Sequence, residues 1–370
     1  MPLVRRFAAT LCLVVPVGCA GGTDGAPGEP LGRTSAAIVG GEPSPASDNA
    51  VVLIRNVRGE CTGTLVAPNL VVTARHCVSS SNLAVTCNDQ GQAVSGGQAG
   101  ADYDPGKIAV FVGESFARKG VLDPAAVGAR IVHDGSPTLC DHDVAFLVLS
   151  NPVTAPVAKL RLAAPPRVGE RARAVGWGIS VARTPSDGRV ARGGITVAHV
   201  GANASRATGP RELSATEGIC DGDSGGPLLA ESDGALLGVA ARGGSPRAAK
   251  LAPPEACVGD DIVNVYVSLA AHTKTVRAAF RAAGAPEPEA PPDEPCTGLV
   301  CAAPATCQAT ASGATSCGVP AAPGAGTPEA SDGGGCSVVP SGARGATTGA
   351  GALVLGLGLF VARRRRRRAQ

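Results

Sequence analysis

The sequence is poor in aromatic residues, since its 370 residues include only six Phe, two Tyr and one Trp. A hydrophobic core must therefore be built from Val, Leu, Ile and Ala. An excess of one charge is also lacking, because 33 Lys and Arg nearly balance 30 Asp and Glu, for a net charge of +3. This balance argues against a nucleic-acid binder that depends on overall charge. The hydrophobic content of 44% excludes a wholly disordered chain.

Cysteine, in contrast, is abundant, with 13 residues in the chain. So many cysteines indicate disulfides and an oxidising compartment rather than the cytosol. Because disulfides use cysteines in pairs, an odd count leaves at least one cysteine without an intramolecular partner.

The N-terminal segment has the pattern of a secretory signal. Two arginines precede an apolar run at 7–17, and small residues follow at 18–22. We predict a signal peptide over 1–20 and a flexible pro-segment over 21–37. Two alternatives stay open: acylation of Cys19, as in bacterial lipoproteins, and a buried core helix.

The C-terminal segment joins Cys336, an uncharged stretch at 346–362 and six arginines at 363–368. As a helix the stretch would be about 25 Å long, which is marginal for a bilayer, and the arginines would stay in the cytoplasm. Residues 336–370 resemble the C-terminal sorting signals of myxobacterial surface proteins, the MYXO-CTERM type. That resemblance implies cleavage near Cys336 by a sorting protease and release to the cell surface or medium. A plain membrane anchor is the alternative.

The region 38–283 carries apolar runs of three to six residues separated by turn-forming residues, as at 51–54 and 144–149. This pattern predicts an all-β barrel or sandwich, with a helix only near 272–283.

The remaining segments follow this β-rich region. We predict a linker over 284–295, a small disulfide-rich module over 296–317 and a second linker over 318–335.

The strongest chemical signal is a serine flanked by glycines, in the stretch Gly222-Asp223-Ser224-Gly225-Gly226-Pro227. Glycines let the hydroxyl project while main-chain N–H groups point into one small space, as an oxyanion hole requires. Serine is a weak nucleophile and needs a base. His76 follows an apolar strand, and Asp143 opens another, so the two are candidates for the base and for the carboxylate that orients it.

Five motifs in one order resemble the chymotrypsin/trypsin family of serine proteases: Ile38-Val39-Gly40-Gly41, Thr73-Ala74-Arg75-His76-Cys77, Asp143-Val144-Ala145-Phe146-Leu147, Gly176-Trp177-Gly178 and Gly222-Asp223-Ser224-Gly225-Gly226-Pro227. The resemblance covers nearly all of 38–283. It implies two antiparallel β-barrels with a C-terminal helix and a catalytic cleft between the barrels. It also implies a triad of His76, Asp143 and Ser224, with the N–H groups of Gly222 and Ser224 as the oxyanion hole.

The resemblance further implies a zymogen cut between Ala37 and Ile38, whose new N-terminus pairs with Asp223. The bond follows small residues rather than Lys or Arg. The activator is therefore expected to be a protease that accepts a small residue, or the enzyme itself.

Specificity is predicted from the positions that match the family's pocket. Gly218 stands where trypsin-like members carry an aspartate, and Ile219 follows it. Gly243 keeps one wall open, Arg242 replaces an aromatic residue, and Asn264 narrows another wall. We expect cleavage after small or medium uncharged residues rather than after Lys or Arg.

The resemblance implies the disulfides Cys61–Cys77 and Cys220–Cys257, and it leaves Cys87 and Cys140 to pair with each other. Four further cysteines staple the small module in a pairing that the sequence leaves open. Cys12 and Cys19 belong to the signal, and Cys336 is the odd cysteine.

No cofactor and no metal site are predicted, because the five histidines show no ligand spacing. One alternative is left open, an acidic loop near 102–104 that binds Ca²⁺. Asp141 is predicted to be solvated, and His133, His199 and His272 are predicted to be surface or packing residues.

The sequence thus predicts a secreted or surface-exposed bacterial serine endopeptidase that acts on proteins or peptides. One alternative is an inactive protease-like fold kept for binding or adhesion, and another places the function in the small module.

Overall fold

The computed structural model describes residues 38 and 40–319, apart from 83–84, 117–122, 179–187, 217, 245–256, 258, 260, 293–295 and 310–314. The predicted signal peptide, the pro-segment and the sorting signal over 336–370 lie outside the described residues.

The first half of the domain is a closed antiparallel barrel with strand order β2-β3-β4-β9-β8-β7. Its strands are β2 (Val51–Arg55), β3 (Glu60–Ala67), β4 (Leu70–Thr73), β7 (Ala109–Phe111), β8 (Ala126–Val132) and β9 (Ala145–Leu149). The continuous apolar runs seen in the sequence are β2, β4 and β9, which are almost wholly buried. Burial on both faces explains why these strands do not alternate between apolar and polar residues.

The second half is a sheet of order β1-β11-β10-β13-β14-β15-β12, which closes through a pairing of β11 with β12. Its strands are β1 (Glu42–Pro43), β10 (Arg171–Gly176), β11 (Val190–Val200), β12 (Glu212–Ala215), β13 (Pro227–Ala230), β14 (Leu236–Gly244) and β15 (Val263–Ser268). Every ladder is antiparallel. The prediction of two antiparallel β-barrels is confirmed.

Smaller elements surround the barrels. A hairpin of β5 (Thr86–Cys87) and β6 (Ala93–Ser95) lies in the loop after His76, and α1 (Thr273–Ala282) follows the last barrel strand. Helix α1 buries Val276, Ala279 and Phe280 in the main hydrophobic cluster. Within the described ranges, no helix has the length and apolar character needed to cross a membrane.

The described residues form five disulfides, and three of them are Cys61–Cys77, Cys87–Cys140 and Cys220–Cys257. The other two, Cys296–Cys307 and Cys301–Cys317, hold the hairpin of β16 (Thr306–Ala309) and β17 (Thr315–Gly318). Val300 joins this segment to the second barrel, since its carbonyl accepts from the N–H of Ala202 at 2.8 Å and its N–H donates to Pro210 O at 3.0 Å.

The core is mainly aliphatic, as the composition requires, and three aromatic residues gather where the barrels meet. Trp177 stacks on Phe116 with ring centroids 5.0 Å apart, and Phe116 meets Phe111 edge-on at 5.6 Å. Thr62 of β3 makes a polar link at the same interface. Its hydroxyl donates to Gly222 O and accepts from the N–H of Trp177, each at 3.0 Å.

Candidate active site

His76 and Asp143 are brought together by the pairing of β4 with β9. The two strands are antiparallel, and Thr73 lies opposite Ala145. The end of β4 and the start of β9 therefore meet at one edge of the barrel. His76 sits in the 3₁₀ turn Arg75–Cys77, just after β4, and Asp143 lies two residues before β9. The disulfide from Cys77 to Cys61 fixes the turn against β3.

The imidazole and the carboxylate make a close, buried pair. His76 Nδ1 lies 2.7 Å from Asp143 Oδ2, and the main-chain N–H of His76 donates to Oδ1 at 3.0 Å. The carboxylate accepts a hydrogen bond from Nδ1–H, which leaves the lone pair of Nε2 for the reacting group. Burial opposes protonation of the imidazole, but the charge of Asp143 and its hydrogen bond outweigh burial and raise the pKa of His76.

Ser224 lies in the loop that enters β13, and glycine lets this loop approach the first barrel. Gly225 has φ +81°, and a Cβ there would come within 2.1 Å of Thr73 Oγ1. Any side chain would force the serine loop away from β4. With glycine in place, Ser224 O accepts from the N–H of Thr62 at 2.9 Å.

The predicted oxyanion donors lie in the same loop. Gly222 has φ +90°, in the left-handed region that favours glycine. Across the described part of the chain, the N–H groups of Gly222 and Ser224 donate to no protein acceptor. Unpaired donors in a cleft can bind an oxygen that gains negative charge.

One cleft contains all three predicted catalytic residues. Its lining includes the following described residues: His76, Val85, Leu139, Asp143, Ile219, Cys220, Asp221, Ser224, Ala240, Ala241, Arg242, Gly243 and Cys257. Of the predicted specificity residues, Ile219 and Gly243 line this cleft. Gly218 and Asn264 are buried behind it, with Gly218 against Ile195.

Asn264 contacts the wall from behind. A Cβ on Gly243 would lie 2.4 Å from Asn264 Oδ1. The amide nitrogen of Asn264 donates to Thr216 O at 3.0 Å, while Oδ1 is buried with no hydrogen-bond partner among the described residues.

Asp223 is fully buried and has no cationic neighbour within the described segments. Its carboxylate accepts from the N–H of Gly178 at 2.8 Å and from that of Cys220 at 2.9 Å. Burial, with a smaller contribution from Asp221, raises the pKa of Asp223 to about 7. The side chain of Ile38 is also fully buried, in the hydrophobic cluster of the second barrel.

A buried ion pair of Arg242 and Glu212 beside the cleft was not predicted from the sequence. Arg242 donates to both oxygens of the buried Glu212, at 2.6 and 2.7 Å. This pairing, together with backbone donors, outweighs burial and lowers the pKa of Glu212. The sequence reveals Arg242 as a departure from the family, but nothing in it points to Glu212 as the partner.

The prediction that Asp141 is solvated is wrong. Asp141 is only 2% exposed and has φ +66°. Its carboxylate is enclosed by Gly91 and Gly209, where a Cβ would lie 2.1 and 2.2 Å from its oxygens. Burial and the nearby charge of Glu212 raise the pKa of Asp141 to about 7.

The other histidines occupy different settings. His133 Nε2 lies 3.0 Å from Asp102 Oδ2 near the surface, and His199 is half-buried. His272 is buried, and burial, with the nearby His142, lowers its pKa to about 3.

A histidine–aspartate pair and a serine in one cleft between two β-barrels define the class of serine hydrolases. A family profile described as "Trypsin" matches residues 38–254. The chain is 31% identical over 229 residues to a protein named "Cercarial protease" from Schistosoma mansoni, covering 56% of this chain and 80% of that protein.

Among solved structures, the chain resembles mouse neuropsin, described as a serine protease expressed in the limbic system of the brain. That likeness has a TM-score of 0.46 and 16% identity, over 65% of this chain and 98% of the other. On the family profile and the cercarial relative, the chain belongs to the trypsin family of serine proteases, and it is a serine endopeptidase.

The Arg242–Glu212 pair generates a stability prediction. Arg242→Met leaves the charge of Glu212 buried and unpaired, so the free energy of unfolding is expected to fall by about 3–5 kcal/mol. The double variant Arg242→Met/Glu212→Gln removes both charges and is expected to recover most of that loss. Urea denaturation measures both effects.

The matched control is Arg55→Met, since Arg55 pairs with Glu60 at 2.7 Å in a more exposed setting. Its expected loss is below about 1 kcal/mol. Equal losses for Arg242→Met and Arg55→Met would contradict the prediction.

Proposed function

We propose that this chain hydrolyses peptide bonds through an acyl-enzyme, with Ser224 as nucleophile, His76 as general base and then acid, and Asp143 as the group that orients His76. The observation that carries the proposal is the 2.7 Å pair of His76 Nδ1 and Asp143 Oδ2 in the cleft that Ser224 also lines. Asp143 stabilises the imidazolium that forms when Ser224 attacks. The N–H groups of Gly222 and Ser224 hold the oxyanion.

The triad assignment predicts the effects of three substitutions. Ser224→Ala is expected to lower kcat by about 10⁶-fold and to abolish labelling by a serine-directed phosphonate. Asp143→Asn is expected to lower kcat by about 10⁴-fold. This magnitude is taken from the same Asp-to-Asn change in a well-characterised serine protease triad. Ser205→Ala, at an exposed serine, is the matched control and keeps both activity and labelling.

The pH profile offers a second readout. The base form of His76 is required, and its pKa is raised, so kcat/KM falls as the pH drops through that pKa. The alternative, an inactive protease-like binding protein, predicts that the unsubstituted protein is neither labelled nor active after cleavage at Ile38. That result would reject the enzyme proposal.

We further propose that the chain is a zymogen activated by cleavage between Ala37 and Ile38. The support is the unneutralised carboxylate of Asp223 together with the buried position of Ile38. Cleavage creates an ammonium group on Ile38, which is the cation that Asp223 lacks. An ion pair there would order the loop of Gly222 and Ser224, because Asp223 lies between them in the chain.

This proposal predicts how stability varies with pH. In the uncleaved chain, folding raises the pKa of Asp223 to about 7, so the folded state holds a proton that the unfolded state has already lost. Stability is therefore expected to fall as the pH rises from about 4 to about 7 and to level off above that. Cleavage at Ile38 supplies the ammonium and is expected to reduce this loss.

The measurement is the melting temperature of the Ser224→Ala chain, intact and cleaved, across that pH range. Burial also raises the pKa of Asp141 to about 7, so intact Asp223→Asn protein is the control that isolates the contribution of Asp223. Superimposable pH profiles for the intact and cleaved chains, or an active form that begins elsewhere than Ile38, would rule out the mechanism.

For specificity, we propose cleavage after small or medium uncharged residues. Gly218 and Ile219 provide no carboxylate for a Lys or Arg side chain, and Asn264 backs the wall at Gly243. Arg242 adds no free positive charge to the wall, since Glu212 neutralises it.

A peptide-library profile of the activated enzyme is expected to favour Ala, Val or Leu before the cut bond over Lys or Arg by roughly 10²-fold in kcat/KM. Gly218→Asp adds the missing carboxylate and is expected to raise cleavage after Lys and Arg. A Cβ at this position would lie 2.6 Å from the end of the Ile195 side chain, so Ile195 must shift to admit the new residue. A wild-type preference for Lys or Arg would refute the specificity proposal.

We also propose that the protein acts outside the cytoplasm, on a bacterial surface or in the medium. Five disulfides support an oxidising compartment. Mass spectrometry of the mature protein tests the route, with expected ends after Ala20 or at Ile38 and near Cys336.

A further inference from the structure

Three side chains outside the catalytic cleft meet at one point: Asp134, His142 and His272. They come from the loop after β8, from the residue before Asp143 and from the turn before α1. One potential ligand atom from each lies within 4.8 Å of the other two. Asp134 and His142 lie eight residues apart, but His272 lies far from both in the sequence, so no ligand spacing indicates the group.

His272 is the buried member, with its side chain 3% exposed. Its Nε2 lies 2.9 Å from the main-chain oxygen of Asp141. A carbonyl oxygen only accepts, so Nε2 carries the hydrogen and Nδ1 of the neutral ring holds a lone pair. That Nδ1 lies 4.0 Å from Asp134 Oδ2. No described residue donates a hydrogen bond to it.

A lone pair that faces a carboxylate oxygen across 4.0 Å is an arrangement that a cation would relieve. His142 lies on the other side of the same oxygen, with Nδ1 2.5 Å from Asp134 Oδ2, and its ring meets that of His272 edge-on at 5.9 Å between centroids. The second oxygen of Asp134 is held by the N–H of Ser136 at 3.0 Å. This bond fixes the carboxylate in the manner of an outer-shell partner.

We propose that Asp134, His142 and His272 bind a zinc ion. Zinc bonds of about 2.0–2.2 Å in a tetrahedron hold ligand atoms about 3.4 Å apart, so the present separations of 2.5 and 4.0 Å differ from that value by less than about 1 Å. Asp134 and His142 are each about a fifth exposed, which leaves room for water as fourth ligand.

The donor set selects the class of metal. Two imidazoles and one carboxylate suit Zn²⁺ and its neighbours in the transition series, whereas Ca²⁺ and Mg²⁺ prefer oxygen ligands. Cys61, His76 and Cys77 also lie close together. That group is a poor alternative, because its cysteines form a disulfide and its histidine pairs with Asp143.

The ion would act as a clamp on the segment that carries Asp143. His142 is the preceding residue, and His272 already holds Asp141 through its main-chain oxygen. A metal at this point ties the loop after β8 and the start of α1 to that segment. The proposal concerns binding and stability, and it does not depend on the proposed catalytic roles.

The test titrates ZnCl₂ into the metal-free full chain carrying Ser224→Ala, which prevents self-digestion, with calorimetry and melting temperature as readouts. One zinc per chain and a higher melting temperature are expected. His142→Gln and Asp134→Asn, both at partly exposed positions, are each expected to weaken binding by at least about 10-fold. His133→Gln is the matched control, because His133 pairs with Asp102 at a place where the described residues offer no second imidazole. This variant is expected to keep full affinity for zinc.

His76→Gln locates the ion. Binding that survives in His76→Gln and weakens in His142→Gln supports the site. No binding by the parent chain, or binding that is lost in His76→Gln and kept in His142→Gln, would overturn it.

Discussion

The antiparallel pairing of β4 with β9 is the constraint on which the site depends. Thr73 lies opposite Ala145, so His76 and Asp143 follow and precede paired strand ends at one edge of the first barrel. The strand register alone therefore places them close together. The serine comes from the other barrel, and its position depends on the absence of a side chain at Gly225. The proposed catalytic group is thus assembled from a ladder register and one close approach, both of which are properties of the backbone.

Buried charge recurs around this frame, and each case is handled differently. The charge of Asp143 is balanced by His76, and that of Glu212 by its bidentate contact with Arg242. Asp223 has only two N–H donors, which leaves it poised for a cation. Burial magnifies the effect of each missing partner. The conformation of the loops around the cleft therefore depends strongly on whether each buried carboxylate has its partner.

Much of the architecture could be predicted from the sequence, because short motifs carry the serine loop, the histidine turn and the aspartate strand. The apolar runs also indicated β-structure, since β2, β4 and β9 are buried on both faces. The environment of Asp141 could not be predicted, because Gly91, Gly209 and Glu212 enclose it from distant parts of the chain. The same holds for Gly218 and Asn264, which lie behind the pocket wall rather than on it. The local sequence pattern predicts the strand to which a residue belongs. Burial depends instead on which distant segments pack over that residue.

The disulfides of the protease domain share a property that emerges only when they are compared with the triad. Cys77 is adjacent to His76, Cys140 lies three residues before Asp143, and Cys220 lies four residues before Ser224. Each segment of the proposed triad therefore has its own covalent tether. Reduction would remove all three tethers, so the fixed positions of the three segments depend on an oxidising compartment.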